Sequence, residues 1–108
     1  MKETLEEVTV ADNEPAQRYE AYVDGLPAFI AYQRLGDRIT FIHTEVPKAL
    51  EGHGIAGKMA QVALDDARAK HLAVIPRCPF VAGYIRRHPE YADLVPPDER
   101  ARLLAYHS

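Results

Sequence analysis

A chain of 108 residues is near the common size of one domain with one core. Its composition, 47% hydrophobic and 27% charged, is that of a globular protein, and a net charge of −3 lacks the basic excess of a nucleic-acid surface while suiting a cationic partner such as an amine. The lone cysteine, Cys78, makes no internal disulfide, no apolar stretch approaches the roughly 18 residues of a membrane span, and the acidic Met1–Glu7 has no signal-peptide core, so a single cytoplasmic domain over residues 1–108 is expected.

In chain order, Val8 and Val10 flank Thr9 as a short edge strand ending at the turn-forming Asp12-Asn13. Arg18–Val23 alternates, with Tyr19, Ala21 and Val23 on one side, and Asp24-Gly25 is a hairpin signal. Ala28–Leu35 and Arg38–Val46 form the next two strands, joined at Gly36-Asp37. Such short connections permit an antiparallel meander and leave no room for a crossover. Ile55, Met59, Val62, Ala63, Ala67 and Ala69 then mark the inner stripe of a helix that ends near His71. The apolar run Leu72–Ile75, closed by Pro76, reads as a buried parallel strand reached through that helix. Phe80, Val81, Tyr84 and Ile85 recur at helical spacing after Pro79, and Asp98 caps a last helix through Tyr106. The expected class is α+β: an antiparallel meander, a helix, a buried parallel strand and C-terminal helices.

Between the third long strand and the helix lies Val46-Pro47-Lys48-Ala49-Leu50-Glu51-Gly52-His53-Gly54-Ile55-Ala56-Gly57-Lys58. Its glycines let backbone N–H groups converge on an oxyanion, at a helix N-terminus whose dipole favours phosphate. No Gly-Lys-Ser/Thr follows, so the loop is not of the kind that serves triphosphate hydrolysis, and Glu51-x-x-Gly54-x-Ala56 is no dinucleotide fingerprint. A plain strand-to-helix turn is the alternative.

Glu51-x-x-Gly54-x-Ala56 resembles the Gln/Arg-x-x-Gly-x-Gly/Ala pyrophosphate loop of the GNAT superfamily of acetyl-coenzyme A-dependent N-acetyltransferases, with Glu51 standing where Gln or Arg is usual. The phrases His43-Thr44-Glu45-Val46-Pro47, Glu51-Gly52-His53-Gly54-Ile55-Ala56, Pro76-Arg77-Cys78-Pro79-Phe80-Val81 and His88-Pro89-Glu90-Tyr91, in this order, resemble its short stand-alone YjdJ-type branch from about Arg18 to Val95. The resemblance implies a GNAT-like fold in which the strands ending at Val46 and Pro76 splay apart. It also implies an acetyl-coenzyme A bound by Val46, Glu51, Gly52, His53, Gly54, Ile55, Ala56, Gly57 and Lys58, with its pyrophosphate on the amides of Gly52 to Gly57 and its thioester pointing toward Glu45, Val46 and Cys78.

Two chemistries remain open. Cys78, beside Arg77 and ahead of a helix, is an acetyl-accepting nucleophile or simply a packed core residue. His43 and Glu45, two apart on one strand face, are a general base pair for direct attack by an amine if that face lines the gap, and surface residues if it does not. The Val46 N–H is a candidate oxyanion donor, and Tyr84 either protonates the departing thiolate or packs in the core. Arg86-Arg87-His88 ends a helix or meets the 3′-phosphate of coenzyme A. His43, His53, His71, His88 and His107 are scattered, so no metal site is expected. The expected activity is transfer of acetyl to an unidentified amine. The rivals are a non-catalytic acyl-coenzyme A binding module, and an interaction protein that uses the loop only as a turn. Oligomeric state is not legible.

Overall fold

The computed structural model describes residues 2–105. A 3-10 turn, Leu5–Glu7, leads into strands β1 (Val10–Asn13), β2 (Arg18–Val23), β3 (Leu26–Leu35) and β4 (Arg38–Glu45). A second 3-10 turn, Lys48–Leu50, precedes helix α1 (Ile55–Ala69), which crosses to β5 (Ala73–Pro76). Helix α2 (Pro79–Arg87), a 3-10 segment (Pro89–Leu94) and α3 (Pro97–Ala105) complete the order. The five strands form one sheet in the order β1-β2-β3-β4-β5, antiparallel except for the parallel pair β4/β5. The α+β class and GNAT-like layout read from the sequence are those observed. The first strand begins at Val10 because Val8 is instead an anchor, 2% exposed, at the end of the N-terminal turn. Tyr106 and His107 lie outside the described residues.

Local sequence explains the meander. Asp24 and Gly25 both take positive φ (52° and 77°), the geometry of a two-residue hairpin loop whose twist matches its strands. Alternation then buries Tyr19, Ala21 and Val23 of β2, Ala28, Ile30 and Tyr32 of β3, and Ile39 and Phe41 of β4 on one face. Against that face packs the inner stripe of α1, namely Ile55, Met59, Ala60, Ala63, Leu64 and Ala67; Ala69, expected inward, is exposed because the helix ends there.

The one irregularity lies between β3 and β4. Tyr32 faces Phe41, but Ala31 faces His43, so Ile42 is an extra residue on β4. A bulge of this kind shifts the side-chain parity of everything beyond it. Thr44 therefore lies opposite Ile30 on the helix-covered side, while His43 and Glu45 lie opposite Ala31 and Phe29 on the other. Had alternation run unbroken through Ile42, His43 would have followed Phe41 into the core.

Candidate functional site

The loop after β4 is fixed before the helix begins. The Leu50 N–H donates to Pro47 O at 2.8 Å, and the Leu50 side chain is buried. Gly52 and Gly54 then take φ of 82° and 81°, a left-handed backbone that glycine adopts without strain. Gly54 is the N-cap of α1, and the first bond of the helical ladder is Lys58 N–H to Gly54 O at 3.0 Å. The amides of Ile55, Ala56 and Gly57 thus lie in the first turn, ahead of any intrahelical acceptor. The amides of Gly52, His53 and Gly54 likewise have no backbone acceptor among the described residues. A cavity of about 250 Å³ opens here between Val46, Leu50, Phe80 and the glycine loop. Glu51 lines it and is exposed, whereas the exposed His53 side chain is not part of its lining.

Lys58 behaves differently from its neighbours in the loop. Its ammonium donates to the carbonyls of Leu5 (2.7 Å), Glu6 (3.2 Å) and Val8, across some fifty residues of sequence. The segment so held lays Leu5 against the loop, where a Cβ on Gly54 would come within 3.2 Å of Leu5 Cδ2. Neither the ammonium nor the amide of Lys58 is free toward the cavity.

At the other end of the site β4 and β5 part company. Their pairing runs from Arg38/Ala73 to Phe41/Pro76, and the Cys78 N–H adds one further bond to Phe41 O at 2.8 Å. Beyond this point α2 leaves with Cys78 as its N-cap, while β4 continues to Glu45, producing the expected divergence. Cys78 is 1% exposed, and its Sγ lies 3.1 Å from Thr44 Oγ1. His43 and Glu45 pair with each other on the opposite sheet face, Nε2 to Oε2 at 3.1 Å, with the His43 ring edge-on to Phe29. The structure therefore joins Cys78 to Thr44 and His43 to Glu45, and it sets the two pairs on opposite faces. Thr44 is the residue that sequence reasoning missed. The adjacent apolar pair Phe41-Ile42, which interrupts the alternation, was the available signal.

Tyr84 lies deeper, its ring 3.8 Å from where a Cβ on Gly57 would stand and stacked on His88 at 4.1 Å between centroids. Burial, with the charges of Glu90 and Asp65 adding to it, raises its pKa above the ordinary tyrosine value. The hydroxyls of Tyr19, Tyr32 and Tyr91 donate to Asp66, Asp12 and Asp65, but Tyr84 has no carboxylate acceptor among the described residues. Arg86 bonds Leu103 O at the end of α2, as a cation complementing a helix C-terminus does. No group of three or more metal-ligating side chains occurs among the described residues, and no helix among them is long and apolar enough to cross a membrane.

Comparison with known proteins agrees with this layout. The family model of the GCN5-related N-acetyl-transferases matches residues 18–94, from the start of β2 to the segment after α2. Protein NATD1 of Mus musculus is 34% identical over 73 residues, which is 65% of this chain and 66% of that protein. Protein NATD1 of Homo sapiens is 34% identical over 73 residues, 65% of each chain, and that of Gallus gallus is 36% identical over 63 residues, 57% of each. The match thus spans just under two thirds of the first two relatives' own length. The family match covers β2 to β4, the glycine loop and both strands of the divergence, and the chain belongs to the GCN5-related N-acetyltransferase family.

Proposed function

We propose that the chain binds acetyl-coenzyme A and transfers the acetyl group to an amine, as a member of the short stand-alone YjdJ-type branch acting in the cytoplasm. The observation that carries this reading is the run of unpaired amides from Gly52 to Gly57 around the head of α1, beside a cavity that reaches the end of β4. These residues fit a pyrophosphate: the amides supply donors, the dipole supplies positive potential, and side chains at 52 and 54 would be strained. When bound, the cofactor supplies an acetyl group activated as a thioester. Val46, first beyond β4, would donate its N–H to the carbonyl oxygen of that thioester, and His43 with Glu45 would take the proton from an amine arriving on the open face.

A second route is favoured by the 3.1 Å contact between Thr44 and Cys78. There the Cys78 sulfur attacks the acetyl carbonyl, a new carbon–sulfur bond forms, the coenzyme A carbon–sulfur bond breaks, and the Cys78 thiol proton ends on the departing coenzyme A sulfur. The amine then attacks the acetyl-cysteine, forming the amide and releasing Cys78.

Calorimetric titration with acetyl-coenzyme A tests the cradle. Gly54→Glu, which would strain the left-handed backbone at φ 81° and drive a side chain against Leu5, should abolish binding; unchanged affinity would refute the assignment. Cys78→Ala divides the two routes. Loss of an acetyl adduct on the intact protein together with loss of turnover supports the covalent route, and full turnover in the variant leaves direct transfer. Affinity with no turnover toward any amine would identify a binding module.

A further inference from the structure

The structure assigns Lys58 a role apart from the bound anion: it is a positioning residue that clasps the N-terminal segment over Gly54 and so holds the cradle in shape. The inference rests on the coenzyme A reading above for its functional consequence, but the clasp itself is on view. An ammonium has three donors, and here the three carbonyls of Leu5, Glu6 and Val8 receive them. Those carbonyls are the C-terminal end of the one-turn helix Leu5–Glu7, the negative end of its dipole, so the cation is satisfied where it stands.

The clasped segment is itself well fixed. The Thr4 N–H donates to Glu7 Oε1 at 2.7 Å, closing the turn, and Val8 is 2% exposed in the core. Between these two anchors Leu5 packs on Gly54, one of two left-handed glycines that aim the amides. A glycine loop left to itself would sample many backbone conformations and lose entropy on binding; one packed from the outside has already lost it. Lys58, Leu5 and Glu6 also wall a second trough of about 340 Å³, with Gln61 and Tyr84, that shares Gly57 with the lining of the cradle cavity. Lys58 thus tightens binding through Leu5 and Gly54, not through a phosphate.

The test is a double-mutant cycle in the full chain, Lys58→Met and Leu5→Ala alone and combined, read by acetyl-coenzyme A calorimetry and by ¹⁵N relaxation of Gly52 and Gly54 in the ligand-free protein. Either single change should drop the glycine order parameters from the rigid range of about 0.85 toward about 0.6. Each should also weaken acetyl-coenzyme A about tenfold, with the double variant no weaker than Lys58→Met, the signature of one shared device. Lys58→Arg, which keeps a cation in reach of the carbonyls, should restore most of the affinity. Lost affinity with rigid glycines, or additive losses in the double variant, would instead mean a direct phosphate contact and overturn the inference. So would unchanged glycine dynamics in Leu5→Ala, which leaves the ammonium in place should Lys58→Met fail to fold. Absence of binding by the unaltered protein would sink the cofactor reading alone, since relaxation still judges the clasp.

Discussion

Glu51 places a carboxylate beside amides arranged for an anion. It is exposed and lines the cradle cavity, so its repulsion of a pyrophosphate placed there would be screened. Glu51→Gln keeps the shape and removes the charge. Acetyl-coenzyme A affinity should rise about two- to fivefold at low salt, the scale of an exposed charge pair. The gain should shrink as ionic strength increases, which calorimetry at two salt concentrations would show. The same residue illustrates what was legible. Its position three before Gly54 is a local pattern, readable from a dozen letters. Lys58 was misleading for the opposite reason: near the glycines it reads as a phosphate contact, but the carbonyls that engage it lie about fifty positions away, where no local pattern reaches.

At the scale of the element, β4 decides which chemistry faces which side. The two-apart spacing of His43 and Glu45 predicted them on one face and Thr44 on the other, as observed. What alternation could not say was which face that is, because one extra residue exchanges them. Inserting one residue between Ala31 and Tyr32 of β3, opposite Ile42, should restore unbroken pairing and turn His43 toward the core in place of Thr44. Burying a polar ring without a partner costs about 1–3 kcal/mol, and about 1 kcal/mol moves the midpoint of a domain of this size by roughly 4–8 °C. Thermal denaturation should therefore show a loss of at least several degrees, and an unchanged midpoint would argue that the bulge is not what sets the faces. The helices were easier to read, since a three-to-four residue stripe survives an error of one position at either end.

Across the whole molecule, tyrosine–aspartate pairs tie α1 to β2 and to the segment after α2, and tie β3 to β1. Tyr19 bonds Asp66, Tyr32 bonds Asp12, Tyr91 bonds Asp65, and Lys70 lies near both Asp66 and Asp12. For all three tyrosines burial is the largest cause, and the aspartate hydrogen bond the next, of a pKa raised above the ordinary value of about 10. The unfolded chain ionises them near that value while the folded chain keeps them protonated. Their stabilisation is therefore complete below about pH 10 and is lost as pH rises beyond it. Each group subtracts up to about 1.4 kcal/mol per pH unit there. Melting temperatures at pH 8 and pH 11 should differ sharply, and the Tyr32→Phe variant should lose less stability between the two than the unaltered protein.

The divergence of β4 and β5 also bears on the order in which the molecule assembles. The meander from β1 to β4 pairs neighbours through turns of a few residues, whereas Phe41 meets Pro76 only after thirty-odd residues of loop and helix have folded back. Loop-closure entropy makes the local pairings the earlier ones and the parallel pair the later. The last strand is short, four residues against eight in β4, and lies at an edge of the sheet, so it detaches in a partial opening more readily than the central β3/β4 pair. His43, Glu45 and the bulge thus belong to the part of the chain that forms first and lets go last. Cys78 arrives with the final closure, and a partly open state would keep His43 beside Glu45 while parting Cys78 from Thr44.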